Sequence, residues 1–156
     1  MSGTTIAVIS SLNNATFVRS QNQVNKIAQQ GIEYVRDQVV NNNQFTTYTT
    51  APYNGSTRCM NPDYGMATVV STLSIPQSFC TTLIDGKYIR TVYFLASRCT
   101  GVTNDFANGL LTTVRVYWRD SKCPNGSTNY YCHSQDVSSC FVNPTKQLPT
   151  TVPTGI

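Results

Sequence analysis

Apolar residues recur at helical spacing through "NKIAQQGIEYVRDQVVNNN", residues 25–43. Val24, Ile27, Ala28, Gly31, Val35, Gln38 and Val39 follow the i, i+3, i+4, i+7 pattern of one helix face. Traced upstream, the same stripe meets Phe17, then Leu12 and Ile9. The pattern predicts a single helix over residues 5–42. At about 1.5 Å per residue it would be roughly 60 Å long, more than the width of a globule built from the remaining chain. One end should therefore project. The stripe is densest from Val24 to Val39, so this half is the docked one, and the more polar "SSLNNATFVRSQNQ" is the projecting one. Gly31 has two readings, a tolerated glycine or a point of close approach to a neighbouring element. The asparagines Asn41 to Asn43 end the helix, because asparagine suits left-handed and turn positions.

After the helix the period changes to two. "MATVVSTLSI", "FCTTLI", "KYIRTVYFLA", "TTVRVYWRD" and "NYYCHSQDVSSCFV" all read as strand segments. Asp85-Gly86 between the second and third is a hairpin signal. In the fourth, Val114, Val116 and Trp118 alternate with Arg115, Tyr117 and Arg119, so one face should meet the helix. The stretch from Gln44 to about Pro76 is a long connector, with Cys59 as a candidate pin. "NPTKQLPTTVPTGI" carries three prolines, which exclude a central strand or helix. The expected fold class is α+β: a long N-terminal helix (1–42), then a connector and an antiparallel sheet of about four strands (43–147), then a Pro/Thr-rich tail (148–156), as one domain overall.

Composition adds a setting. Charged residues make up only 12% of the 156, and Ser, Thr, Asn and Tyr take their place. The net charge of +4 comes from dispersed basic residues, with no run marking a nucleic-acid tail. The six cysteines Cys59, Cys80, Cys99, Cys123, Cys132 and Cys140 lack the paired spacing of zinc sites, and the chain has one histidine, His133. Disulfides in an oxidising compartment are the better reading, with fifteen pairings open. Cys123 and Cys132 flank the turn-rich "PNGSTNYY" and are the pair most expected to face each other across a hairpin.

Catalytic chemistry finds little support. Glu33 and Asp37 share a helix side, but Arg36 stands beside Asp37, and a solvated helix face explains all three. His133 has no serine or cysteine partner in a recognisable motif. No phosphate-binding loop, nucleophile elbow or metal-ligand cluster is present. The tyrosines Tyr48, Tyr53 and Tyr64, and Tyr130 and Tyr131, read as loop packing or as a recognition surface. Asn54-Gly55-Ser56 and Asn125-Gly126-Ser127 match the glycosylation acceptor pattern and also read as turns.

Three segments, in order, carry a resemblance. In "IAQQGIEYVRDQV", Ala28, Gly31, Ile32, Glu33, Val35 and Arg36 match Ala-x-x-Gly-(Ile/Leu)-Glu-x-(Val/Ala)-Arg; "GKYIRTVYFLASRC" matches G-x-(Phe/Tyr)-x-R-x-V; "LLTTVRVYWRDS" matches V-x-V-x-W-x-D on Val114, Val116, Trp118 and Asp120. Together they cover about half of the chain and resemble the type IV pilin family, most closely minor pilins and type II secretion pseudopilins. The resemblance implies a structural filament subunit, not an enzyme, that needs no cofactor and has other pilin subunits as partners. It implies an apolar anchor segment upstream of Thr4, with "MSG" as an expression scar and the isolated head a monomer. It implies an inner-membrane-anchored subunit that moves to an extracellular filament on the cell surface. Candidate subunit contacts are Phe17, Val24, Ala28, Gly31, Glu33 and Arg36. The alternative expectation is a filament-tip adhesin or DNA-binding module that binds DNA or glycan weakly, with Arg98, Arg115 and Arg119 as ligand contacts.

Overall fold

The computed structural model describes residues 3–70, 80–97, 109–120, 123–124 and 131–143, with backbone alone at 3–13, 67–70 and 97. Helix α1 runs unbroken over Gly3–Val40. Among its described side chains the buried positions are Ser20, Val24, Ile27, Ala28, Gly31, Ile32, Val35 and Val39; of the stripe expected from Val24 to Val39 only Gln38 is merely half-buried, and Ser20 and Ile32 join it. Leu12 and Ile9, at the upstream end of that stripe, lie outside the described side chains. Asn43 takes φ 57°, the left-handed conformation that turns the chain out of the helix. Gln44 then donates its N–H back to the Gln38 carbonyl at 3.0 Å.

Five strands follow: β1 (Thr57–Met60), β2 (Met66–Val70), β3 (Ile89–Ser97), β4 (Gly109–Trp118) and β5 (His133–Val142). They form one antiparallel sheet in the order β2-β1-β3-β4-β5. Val92 pairs with Val114, and Val114 with Val137, so three apolar side chains cross the sheet in one row. Leu110, Thr112, Val114, Val116 and Trp118 are buried on the face toward α1. The core is this face, the helix stripe, and Phe45 and Tyr48 of a short helix α2 (Phe45–Thr49).

Two expectations are corrected. The connector holds α2 and β1, which four or five residues among turn signals did not announce. The segment "FCTTLI" was expected to be a strand. Within its described part only Ile84 makes a bridge, to Tyr88. The place it would occupy beside β3 is taken by β1, where Arg58 pairs with Val92 and Cys59 with Thr91. The turn itself matches its signal: Asp85 and Gly86 both have positive φ, 51° and 64°. The loop between Cys99 and Leu110 and the Pro/Thr tail lie outside the described residues.

A disulfide joins Cys59 to Cys80, pinning the connector as the isolated Cys59 suggested, and another joins Cys123 to Cys132. Cys140 is also disulfide-bonded, and Cys99 lies outside the described residues. Removing the Cys123–Cys132 bridge with a Cys123→Ala/Cys132→Ala pair should destabilise the fold by about 2.5 kcal/mol through loop-closure entropy. Thermal unfolding should show a fall of roughly 5–10 °C; no change would mean that the bridge does not constrain the unfolded chain.

Tyr48 stacks on Phe94 with centroids 4.6 Å apart and meets Tyr53 edge-on. Burial, helped by Tyr34 and Tyr53, pushes the Tyr48 pKa up to about 12. An unfolded chain would ionise this phenol near pH 10 while the folded one keeps it neutral, so the unfolded state binds fewer protons above pH 10. Stability should therefore fall between about pH 10 and 12, by roughly 2 kcal/mol from this group. Comparing wild type with Tyr48→Phe by urea unfolding at pH 8 and pH 11.5 checks this: the variant should lose less.

Candidate functional site

Two places on the helix side of the sheet carry unusual chemistry. The first is built on Arg90. Strand alternation puts Arg90 in phase with Val92 and Phe94, opposite Val116, and so inside. Its residue is only 3% exposed. Nη2 donates to the Asn61 carbonyl at 2.6 Å, Nη1 to the Ile27 carbonyl at 3.4 Å, and the guanidinium lies 4.5 Å from the Tyr64 ring centre. Tyr64 in turn stacks on Tyr34 of α1 at 4.8 Å. One side chain thereby ties the helix, the turn after β1 and the sheet together. Its Nε is buried without a hydrogen-bond partner. Burial lowers the Arg90 pKa from its ordinary value, with Tyr64 opposing that shift.

Gly31 explains how the helix passes over this residue. A Cβ there would stand 3.0 and 3.2 Å from the γ-carbons of Val114 and 3.3 Å from Cδ of Arg90. The close-approach reading of Gly31 is the one observed. Beside Arg90 opens a cavity of about 300 Å³, lined among others by Gln23, Lys26, Gln30, Tyr64 and Asp85.

The second place is where α1 leaves the sheet. Phe17 is half-buried, edge-on to His133 at 5.5 Å and tilted 6.5 Å from Trp118; His133 stacks on Trp118 at 5.2 Å. His133 Nε2 lies 2.9 Å from an Asp120 carboxylate oxygen. The ligand atoms of Cys123, Cys132 and His133 fall within 4.8 Å of one another. Both sulfurs are joined in the disulfide, so the trio offers no thiolate to a metal while oxidised. Upstream of Phe17 and around it, Asn14, Ala15, Thr16, Val18 and Arg19 are exposed, Val18 at 53%.

The remaining candidates distribute as follows. Val24, Ala28 and Gly31, read as subunit contacts, are buried against the protein's own sheet and are not free to meet a second chain. The physical reason is that the densest part of an apolar stripe satisfies the nearest sheet first. Phe17 remains partly exposed. Glu33 and Arg36 are exposed and paired with each other at 2.8 Å. Asp37 accepts from the side-chain amides of Asn41 at 2.6 Å and Asn42 at 3.4 Å, side-chain bonds at the end of the helix. Arg115 lies on the outer face in a two-pronged ion pair with Asp136 across β4 and β5. That hydrogen bond raises the Arg115 pKa, and its charge is largely answered within the sheet. Arg119 has interactions of its own, and Arg98 lies outside the described residues. Tyr48, Tyr53 and Tyr64 pack inward, the loop-packing reading. Tyr131 packs beside the Cys59, Cys80 and Ile89 cluster, and Tyr130 is outside the described residues. Asn54 is engaged through its side-chain oxygen, which accepts from the Ala96 N–H at 2.8 Å; Asn125 to Ser127 are not described.

Arg90 was missed as a site residue. The parity of "KYIRTVYF" held the signal: an arginine between Tyr88 and Val92 on the inward face. Comparison with protein-family models, curated proteins and solved structures finds no match.

Proposed function

We propose that this chain is the head of a filament subunit of the pilin type, a minor pilin or pseudopilin, that assembles through the upstream half of its long helix. One observation carries the reading. Helix α1 is continuous from Gly3 to Val40, while its described buried positions run from Ser20 to Val39 and Val18 is 53% exposed. A 38-residue helix is about 57 Å long, and a rod docked at one end costs ordering entropy that its own domain does not repay. Parallel packing of such rods would recover it by burying apolar surface at roughly 25 cal/mol per Å². The sequence resemblance to pilins supports the same reading, as do the disulfides, which suit an exposed filament surface.

In this reading the chain acts by assembly and has no catalytic role. Its partners are sister rods. No described helix is long and apolar enough to cross a membrane. The reading places the inner-membrane anchor upstream of Thr4, and the assembled subunit at the cell surface. The test is a photo-cross-linking residue placed at the exposed Val18 in the producing cell. A cross-link to another filament subunit is expected. Cross-links confined to the protein's own head would contradict the reading.

A further inference from the structure

Arg90 presents a problem that its own fold leaves open. Its described partners are two carbonyl oxygens and an aromatic face, all neutral, so a nearly fully buried cation has no counter-charge among them. Its Nε–H has no acceptor. Burying a charge in this way is expensive unless it is paired. A methionine of similar reach would fill the same space without that cost. Arg90 also lines an open cavity of about 300 Å³, the lower end of the range for small-molecule sites.

The rest of the lining says which anion fits. Lys26 adds a second positive charge from α1. Gln23 and Gln30 offer amide donors and acceptors on the same helix side, and Asp85 offers acceptor oxygens from the opposite turn. Pro62 and Ile84 supply a small apolar patch. A fully charged phosphate would gain from both cations, but would lie against the Asp85 carboxylate and leave the amides and the apolar patch unused. A carboxylate is singly charged and planar and matches a guanidinium edge. Hydroxyl groups around it would donate to Asp85 and bond Gln23 and Gln30. A ring bearing both is a sugar acid. Asp85 already accepts from Gln23 Nε2 at 3.3 Å, so both side chains are held facing the same space.

We propose that the groove between α1, the turn at residues 61–64 and the turn at residues 84–86 binds an acidic monosaccharide, its carboxylate on Arg90 and Lys26 and its hydroxyls on Gln23, Gln30 and Asp85. This site is independent of filament assembly, because it uses the docked half of the helix. Binding at the head surface would let the protein attach to uronate- or sialate-bearing glycans.

Glucuronate titrated into the ¹⁵N-labelled protein, with glucose and acetate as parallel probes, tests this. The Arg90 Nε–H gives its own resonance and reports a change at the guanidinium. Glucuronate should shift that signal and the Gln23 and Gln30 side-chain amides saturably. Glucose should not do so at the same concentration, and acetate should bind more weakly than glucuronate. Lys26→Ala, an exposed substitution that leaves the fold intact, should weaken glucuronate about fivefold. Absence of a saturable Arg90 shift would overturn the site. An equal response to glucose would overturn the charge argument, and acetate binding as tightly as glucuronate would overturn the sugar.

Discussion

Replacing Phe94 by alanine is expected to destabilise the protein by about 4 kcal/mol and to lower its melting temperature by roughly 10–15 °C. Phe94 is completely buried in β3, packed by Tyr48 at 4.6 Å and Tyr53 at 6.1 Å. Tyr53 in turn lies 3.9 Å from the Arg58 guanidinium. Removing the ring therefore leaves a cavity and also unseats both tyrosines that hold the connector to the sheet. The void cannot collapse easily, because Asn54 and Gly55 are fixed to the same strand by bonds to Ala96 N–H and the Phe94 carbonyl. Urea unfolding followed by circular dichroism would measure the loss. A change below about 1.5 kcal/mol, the size of a conservative core swap, would show that the connector is not anchored there.

Gly31→Leu is expected to cost about 3 kcal/mol or more, while Gly31→Ala stays near neutral. Alanine gains about 1 kcal/mol of helix propensity over glycine. Against this, its methyl would stand 3.0 and 3.2 Å from Val114, a few tenths of an ångström too near. The two effects are of similar size and opposite sign. Leucine has no such balance. Val114 is fully buried and held between β3 and β5, so the helix would have to lift, breaking the Arg90 bond to the Ile27 carbonyl as it went. The paired unfolding curves of the two variants measure this. A leucine variant as stable as wild type would mean that the helix is not seated on Val114.

The helix and the central strands were legible because each is long and its period regular. Val24 to Val39 repeats at 3.6 over more than four turns, and "TTVRVYW" alternates without a break. Asn43 and the Asp85-Gly86 turn were legible for a steric reason: few residues accept a positive φ. What escaped was decided by competition between segments. "TRCM" is too short to signal a strand, yet it wins the edge of β3 over "FCTTLI". Which surface a stripe meets is likewise set by packing, and Val24 and Ala28, expected as subunit contacts, lie buried against the chain's own sheet. For Arg90, charge suggested the surface, and the parity of its neighbours, which puts it inside, was the better guide.

Helix α1 buries its downstream half against the sheet, and the proposed assembly uses its upstream half. Amide hydrogen exchange along the helix tests this most directly. Protection should be high from Val24 to Val39, drop across Phe17 to Ser20, and be lower by orders of magnitude from Asn14 to Thr16. Uniformly high protection from Asn14 to Val39 would mean that the whole rod is held by its own head, and the assembly reading would be wrong.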